Sequence, residues 1–253
     1  MITAEAATVR VGGDHIQRSS GALSRARRSV VALTLALGLA LSACSGSNSS
    51  PPPDRPTDPA AILAASSTAM AGVDTAHFTL AVDGTIQGVT ISKADGDLTR
   101  GGDAKGTATI SQFGQLIEAQ FVLKEKRLFI KGPTGGFVEV PASATGSLYD
   151  PSAILDPARG VANVLAKASA PTLASSDGSA SVVTATVPQA VAAALVPGLQ
   201  SDVNGTFTVA ASGNTLTSAR FDVTDQSLTG GQPASVTVDL TDLNAPVDVT
   251  VPS

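Results

Sequence analysis

The segment AHFTLAVDG, residues 76–84, decides the fold class of this chain. Its apolar side chains Phe78, Leu80 and Val82 alternate with polar or small residues, and Asp83-Gly84 then supplies a turn. Because successive side chains of a β-strand point to opposite faces, this period of two predicts a strand with one apolar face. Such alternation is typical of antiparallel sheets that bury one face and expose the other to water.

The same alternation recurs along the chain, which predicts further strands of the same kind. Polar residues between the apolar ones, such as Glu118, Gln120 and Lys124, are expected to face water. The alternating apolar positions are Val89/Ile91, Ile117/Ala119/Phe121/Leu123, Val203/Gly205/Phe207/Val209, Ala219/Phe221/Val223, Val236/Val238/Leu240 and Val247/Val249/Val251.

Helices are predicted where a capping residue and proline precede apolar residues at helical spacing. The first helix ends near Gly72, and the third begins at Pro188 and is closed by Pro197-Gly198. The cap-then-proline pairs are Asp58-Pro59, Asp150-Pro151 and Asp156-Pro157, and the stripes are Ile62/Ser66/Met70/Val73, Val161/Val164/Leu165/Ala168 and Val191/Ala194/Leu195. Because strands and helices do not alternate as βαβ units, the order predicts an α+β fold, a curved antiparallel sheet wrapped around helices.

The N-terminal segment has the layout of a signal peptide. Arg25, Arg27 and Arg28 precede an uncharged apolar run of 12 residues, 30–41, which is followed by Ser42-Ala43-Cys44. As a helix this run is about 18 Å long, too short for a hydrocarbon core of about 30 Å. The boundary resembles the bacterial lipobox, and Cys44 is the only cysteine of the chain. We therefore expect cleavage after residue 43 and acylation of Cys44.

The predicted organisation is a cleaved signal peptide (1–43), an acylated cysteine with a Ser/Pro-rich tether (44–57) and a single domain (58–253). Cleavage would remove five basic and two acidic residues, so the net charge of −5 would become −8. An anionic membrane surface repels such a body, so the acyl chains on Cys44 must provide the attachment. The expected location is the cell membrane, with the lipid anchor on its extracytoplasmic face.

Composition and motifs exclude several function classes. The acidic balance makes nucleic acid an unexpected partner. One cysteine and two histidines provide neither a zinc ribbon nor a redox centre, and the chain lacks GxSxG, HExxH and phosphate-loop motifs. His77 alternates with Phe78 and is expected on the sheet surface. We therefore expect no metal, no cofactor and no enzymatic activity.

Residues 147–166, SLYDPSAILDPARGVANVLA, closely resemble a segment shared by the mycobacterial LppX/LprA/LprF/LprG lipoprotein family. A second similar stretch begins with residues 76–84 and continues to GDLT, residues 96–99. The resemblance implies a half-open β-barrel like those of the Lol lipid carriers, with helices on the concave side and a cavity for acyl chains. It also implies carriage of triacylated glycolipids or other acyl lipids across the cell envelope, and cooperation with a major-facilitator efflux protein.

The apolar strand faces and the second helical stripe are expected to enclose the lipid cavity, because both need an apolar partner on the same side of the sheet. Its predicted lining is Phe78, Leu80, Val82, Val89, Ile91, Phe121, Leu123, Val164 and Leu165. A composition rich in Ala, Val, Leu and Ile equally describes an ordinary filled core. The alternative is therefore a surface-anchored structural or signalling lipoprotein that transports no ligand.

A small basic patch is formed in sequence by Lys124, Lys126, Arg127 and Lys131. On an acidic body, this patch has two interpretations. It is either an exposed strand surface or a contact for lipid phosphates or a membrane partner.

Overall fold

The computed structural model describes residues 57–112, 114–141, 151–195 and 199–252. The predicted signal peptide, Cys44, most of the tether, Tyr149-Asp150 and Pro197-Gly198 lie outside these residues.

Eleven strands of the described chain form one antiparallel sheet. Their order is β6-β5-β4-β3-β2-β1-β11-β10-β9-β8-β7, so the two ends of the sheet, β6 and β7, remain unpaired with each other and the barrel is half open. The strands are β1 (Thr75–Asp83), β2 (Ile91–Thr99), β3 (Ala104–Gln112), β4 (Gln115–Lys124), β5 (Arg127–Lys131), β6 (Val138–Glu139), β7 (Ser169–Ser176), β8 (Ala180–Val187), β9 (Val203–Ala210), β10 (Leu216–Val223) and β11 (Ala234–Thr241). The predicted α+β class with a large open, curved antiparallel sheet is confirmed.

The first helix, α1 (Pro59–Ala71), forms as its caps predict. The Asp58 carboxylate accepts a hydrogen bond from the backbone N–H of Ala60 at 3.1 Å, and Gly72 is the C-cap. The predicted stripe is buried at every position: Ile62, Ser66, Met70 and Val73.

The remaining helices are short. A 3-10 helix spans Pro151–Leu155, and α2 (Val161–Lys167), α3 (Gln189–Leu195) and α4 (Gln226–Thr229) follow. The predicted stripes of the second and third helices bury Val161, Val164, Leu165 and Leu195.

The helices fill the concave side unevenly. Helix α1 packs against α2 and against β7 and β8. The Ser67 hydroxyl of α1 donates to the Ala162 carbonyl of α2 at 2.8 Å. The core beneath contains Phe207 and Phe221, whose rings meet edge to face with centroids 6.1 Å apart. The 3-10 helix instead packs against β2. The two halves of the sheet are therefore covered by different elements.

Two of the strand predictions are wrong, one about a whole strand and one about where a strand begins. Residues 242–252 form no strand although Val247, Val249 and Val251 alternate, because Pro246 and Pro252 lack the N–H that a ladder needs. Val249 is nevertheless buried. Strand β2 begins at Ile91, and Val89 lies in the preceding turn, where its N–H donates to the Ile86 carbonyl at 3.0 Å.

The predicted start of the second helix is also wrong. Asp156-Pro157 opens a turn, and α2 begins only at Val161 with Gly160 as its N-cap. The Asp156 carboxylate accepts from the backbone N–H groups of Ala158 at 2.8 Å and Arg159 at 3.0 Å. A Cβ on Gly160 would lie 2.6 Å from the Asp156 carbonyl oxygen, so this turn admits only glycine.

Candidate functional site

Facing residues of neighbouring strands build a trough on the inner side of β1–β5. Phe78 of β1 faces Gly96 of β2, which faces Gly106 of β3. Gly106 in turn faces Phe121 of β4, and Phe121 faces Ile130 of β5. The two glycines carry no side chain, while Phe78 and Phe121 on either side of them carry aromatic rings. The row is therefore low at the glycines and high at the two rings.

The next row repeats this arrangement with alanines. Leu80, Ala94, Ala108 and Ala119 face one another in order across β1, β2, β3 and β4. Three of these four side chains are single methyl groups. The floor of the trough is therefore formed by small residues of β2, β3 and β4.

A third row closes the trough toward one end of the sheet. Ile91, Ile110 and Ile117 face one another across β2, β3 and β4, with two further facing pairs between this row and the β3–β4 turn. All three side chains are half-buried. Branched side chains therefore border the small-residue floor at this end.

The trough forms a groove, which is the candidate functional site. Every side chain that lines it is apolar. The lining residues are Phe78, Ile91, Ala94, Ala108, Ile110, Ala119, Phe121, Leu128, Ile130 and Pro151. Such a lining has no group that could hold a charged cofactor or perform acid–base chemistry, and it suits an apolar ligand.

The groove is narrow. It contains about 480 Å³ of space between atoms, counted to its open mouth, but only about 40 Å³ is wide enough for the centre of a water molecule. A cavity needs about 10–15 Å³ of such space to hold one water, so the groove has room for about three. An acyl chain would therefore have to move the groove walls apart.

The nine predicted lining residues fall into three groups. Phe78, Ile91 and Phe121 border the groove. Leu80, Val164 and Leu165 are buried in the core and do not border it, and Val82, Val89 and Leu123 pack on the core while partly exposed.

The residues that sequence reasoning missed are mostly those of the floor and the outer wall. Seven lining residues were not expected at the site: Ala94, Ala108, Ile110, Ala119, Leu128, Ile130 and Pro151. Strands β3 and β5 were missed with them. Gly106 and Ala108 point inward from β3, but they carry too little apolar surface to produce an alternating pattern.

The polar side chains of the same strands lie on the outer face. His77 donates or accepts through Nδ1 with Asp97 Oδ1 at 2.9 Å, and its Nε2 lies 3.6 Å from Asp95 Oδ2. The hydrogen bond with Asp97, opposed by partial burial and aided by the charge of Asp95, raises the pKa of His77 above its usual value. The predicted surface position of His77 is confirmed, since its side chain is 31% exposed.

Two of the four basic side chains of the patch, Lys124 and Arg127, are paired with acidic partners. Lys124 Nζ lies 2.7 Å from Asp103 Oδ2, and Arg127 makes two hydrogen bonds to the Glu139 carboxylate. The Arg127 guanidinium also lies 5.0 Å from the centre of the Phe129 ring. These contacts favour the interpretation of the patch as an exposed strand surface.

The described residues contain no group of three or more His, Cys, Asp or Glu residues that could hold a metal ion. Among the helices described, none has the length and apolar character needed to cross a bilayer.

Fold and groove together define a half-open antiparallel sheet with an apolar site on its inner face. The chain belongs to the LppX_LprAFG lipoprotein family, whose model matches residues 58–249, and the membership predicted from residues 76–84 and 147–166 is confirmed.

Two curated relatives match most of the chain, and a third matches part of it. The lipoarabinomannan carrier protein LprG of Mycolicibacterium smegmatis is 34% identical over 244 residues, which cover 91% of this chain and 99% of that protein. LprG of Mycolicibacterium hassiacum is 30% identical over 222 residues, 84% of this chain and 92% of that protein. The putative lipoprotein LprA of Mycobacterium tuberculosis is 32% identical over 112 residues, 43% of this chain and 45% of that protein.

Two solved structures share the fold. LprF from Mycobacterium bovis superposes with a TM-score of 0.65 at 24% identity, covering 79% of this chain and 99% of that chain. The Mycobacterium tuberculosis lipoprotein LppX gives a TM-score of 0.56 at 19% identity, covering 76% of this chain and 97% of that chain.

Proposed function

We propose that this protein is a membrane-anchored lipoprotein that binds acylated lipids, glycolipids included, in its groove and carries them across the cell envelope. The observation that carries the proposal is the groove itself, lined by nine apolar residues of β1–β5 and by Pro151 of the 3-10 helix, with no charged side chain among them. The function is binding and transport, without a chemical reaction.

Apolar contacts alone suffice to retain such a ligand. Burying one palmitoyl-sized chain removes about fifteen methylenes from water, which is worth roughly 12 kcal/mol before the costs of binding. Convergent charges are therefore unnecessary, in agreement with the lining.

The architecture provides a way to widen the groove. Among the described residues the sheet is not closed, and β5 is bordered on its outer side only by β6, a strand of two residues. Movement of β5 would shift Leu128 and Ile130 outward without separating the helix-packed half of the sheet. This half-open edge supports reversible accommodation of an acyl chain.

The relatives indicate the class of ligand. LprG is named a lipoarabinomannan carrier protein, and this chain is 34% identical to it over nearly its whole length. We extend this to a triacylated glycolipid or a related acyl lipid as the ligand. The family resemblance further proposes a major-facilitator efflux protein as the membrane partner.

The anchor completes the proposal. Cys44, the only cysteine, follows Leu41-Ser42-Ala43, where a lipoprotein is cleaved and acylated. Its acyl chains, palmitate among them, would hold the domain on the extracytoplasmic face of the cell membrane. A tether of residues 44–57 would then separate the domain from the bilayer.

A filled-core lipoprotein with a structural or signalling role is the second candidate. The narrowness of the groove favours it, because the roughly 40 Å³ wide enough for a water centre is far less than an acyl chain occupies. The two candidates differ in whether the walls move apart for a lipid.

Lipid extraction from the purified full-length protein tests the proposal. We expect mass spectrometry of its organic extract to show a stoichiometric acyl lipid beyond the anchor on Cys44. Ala108→Phe places a ring on the groove floor and should abolish this lipid, whereas Thr109→Phe, one residue along β3 on the opposite face, should retain it. Wild-type protein without lipid would establish the filled-core candidate.

A further inference from the structure

Two neighbouring loops at one end of the sheet contain no charged residue. Residues 84–92, which join β1 to β2, and residues 106–112 and 114–117, at the end of β3 and the start of β4, are free of Asp, Glu, Lys and Arg. They lie side by side, because the Ser111 N–H donates to the Thr90 carbonyl at 2.7 Å and Ile91 faces Ile110. We call these two segments the uncharged end.

The opposite end of the same strands is highly charged. The β2–β3 turn carries Arg100 and Asp103, and the β4–β5 turn has the sequence KEKR, residues 124–127. The two turns are joined by the ion pair of Lys124 and Asp103 at 2.7 Å. Strands β2–β4 therefore have a strong difference in polarity between their two ends.

The uncharged end also carries an exposed apolar side chain. Leu116 is the second residue of β4 and lies close to the β3–β4 turn. It is 70% exposed, more than any other large apolar residue of the described chain. Its neighbour Ile117 belongs to the Ile91–Ile110–Ile117 row, two members of which line the groove. Apolar surface thus continues from the groove to the tip of the β3–β4 hairpin.

Physical chemistry selects a lipid surface as the matching partner. Charged side chains are costly to bring below the headgroups of a bilayer, whereas uncharged turns with an apolar tip are not. After the predicted cleavage the body has a net charge of −8, so anionic headgroups repel it as a whole and give no general attraction that would replace this apolar contact. A tether of residues 44–57 spans at most about 50 Å when extended, which keeps the domain within reach of the membrane.

We propose that the uncharged end docks on the lipid surface of the membrane that holds the anchor, and that it thereby presents the Ile91–Ile110 end of the groove to lipid. The inference deepens the proposed function and rests on it. The charged turns at residues 100–103 and 124–127 then point away from the bilayer.

Site-specific fluorescence tests this orientation. Because Cys44 is the only cysteine, Cys44→Ser gives a full-length background in which one new cysteine can carry an NBD fluorophore. Labels are placed at Leu116→Cys and, as a second tip position, at the exposed Gln115→Cys. The matched control is Lys126→Cys, exposed in the turn at the charged end. The probe membrane is vesicles of phosphatidylcholine and phosphatidylglycerol.

We expect NBD at both tip positions to shift its emission to shorter wavelength on addition of vesicles, and to be quenched when the vesicles contain brominated lipid. NBD at position 126 should show neither change. Equal changes at all three positions, or none at the tip, would overturn the orientation. Lipid extraction from the wild type is unaffected by these outcomes, so failure of the docking and failure of lipid binding are distinguishable.

Discussion

Gly96 of β2 and Gly106 of β3 face each other across the sheet, and neither position has room for a side chain. A Cβ on Gly96 would lie 2.9 Å from the Gly106 Cα, and a Cβ on Gly106 would lie 2.7 Å from the Gly96 Cα. Contacts this close to backbone can be relieved only by separating the strands. The pair therefore sets the low centre of the row between Phe78 and Phe121.

Substitution of either glycine should destabilise the protein. We expect Gly96→Ala to lower the free energy of unfolding by about 1–3 kcal/mol, the usual cost of forcing atoms into a packed structure. Gly178→Ala is the control, since a Cβ there meets nothing within 4 Å. Urea denaturation followed by circular dichroism measures both. Equal stability of the two variants would show that β2 and β3 can separate freely.

One matched pair of alanines distinguishes an adaptable groove from a filled core. Ala94 on the groove floor and Ala185 in the core beneath the helices are each 6% exposed and each point inward from a strand. We expect Ala185→Leu to cost about 1–3 kcal/mol by overpacking and Ala94→Leu to cost less, because the groove can take up the added methyl groups. Thermal melting gives the comparison. A larger loss at Ala94 would contradict an adaptable groove.

The stability of the protein should fall as the pH rises through the titration of His77. The pKa of His77 is raised by its hydrogen bond with Asp97, so the protonated form stabilises the folded state. This contribution is full below the unfolded pKa of about 6.5 and is lost as the pH rises through the higher folded value. Urea denaturation at a series of pH values should show the decline in the wild type and not in His77→Gln.

The same titration can be followed directly by NMR, because His77 is the one histidine after the predicted cleavage site. Asp97→Asn should lower the pKa of His77, and the exposed Asp83→Asn should leave it unchanged. An unaltered pKa in Asp97→Asn would remove Asp97 as the cause.

The turn before α2 depends on one carboxylate. Asp156 accepts from two backbone N–H groups and pairs with Arg159 at 3.1 Å, and although partial burial opposes it, these contacts hold the pKa of Asp156 below its usual value. Asp156→Ala should cost about 1 kcal/mol, as the loss of a cap does. Asp156→Asn keeps an acceptor oxygen and should stay close to wild type. Chemical denaturation tests both, and equal losses would assign the effect to charge.

Attachment to the membrane should depend on a single thiol. We expect Cys44→Ala to lose acylation and to leave the membrane fraction, because no other cysteine exists to carry a thioether. Labelling with a clickable palmitate and fractionation of cells measure both properties. Continued labelling together with membrane retention would refute the lipobox interpretation.

Sequence periodicity found the walls of the groove and missed its floor for a physical reason. Phe78, Ile91 and Phe121 bury large apolar side chains and therefore alternate visibly with polar residues. Ala94, Ala108 and Ala119 leave the free space by being small, and small side chains produce little hydrophobic pattern. The free space of a groove is left by small side chains, and small side chains are the least evident in a hydrophobicity-based prediction.

The helices were predictable in position but not in their starting residues. Asp58-Pro59 caps α1 as expected. The second Asp-Pro pair, Asp156-Pro157, instead opens a turn, and α2 begins only after Gly160. The close approach of Gly160 to the carbonyl oxygens of residues 153–156 distinguishes these outcomes. The Asp-Pro pattern covers two residues and does not include this glycine, so the pattern alone does not separate them.

The edge strands of the described sheet have a consequence for copies of this protein at high local concentration. An exposed strand edge invites pairing with another copy, which leads to polymerisation. Here β6 has only two residues, and β7 is interrupted by two register shifts and a positive φ at Ala170. Within the described residues neither edge offers a long regular template, so many copies can remain side by side as separate molecules while each keeps its sheet open.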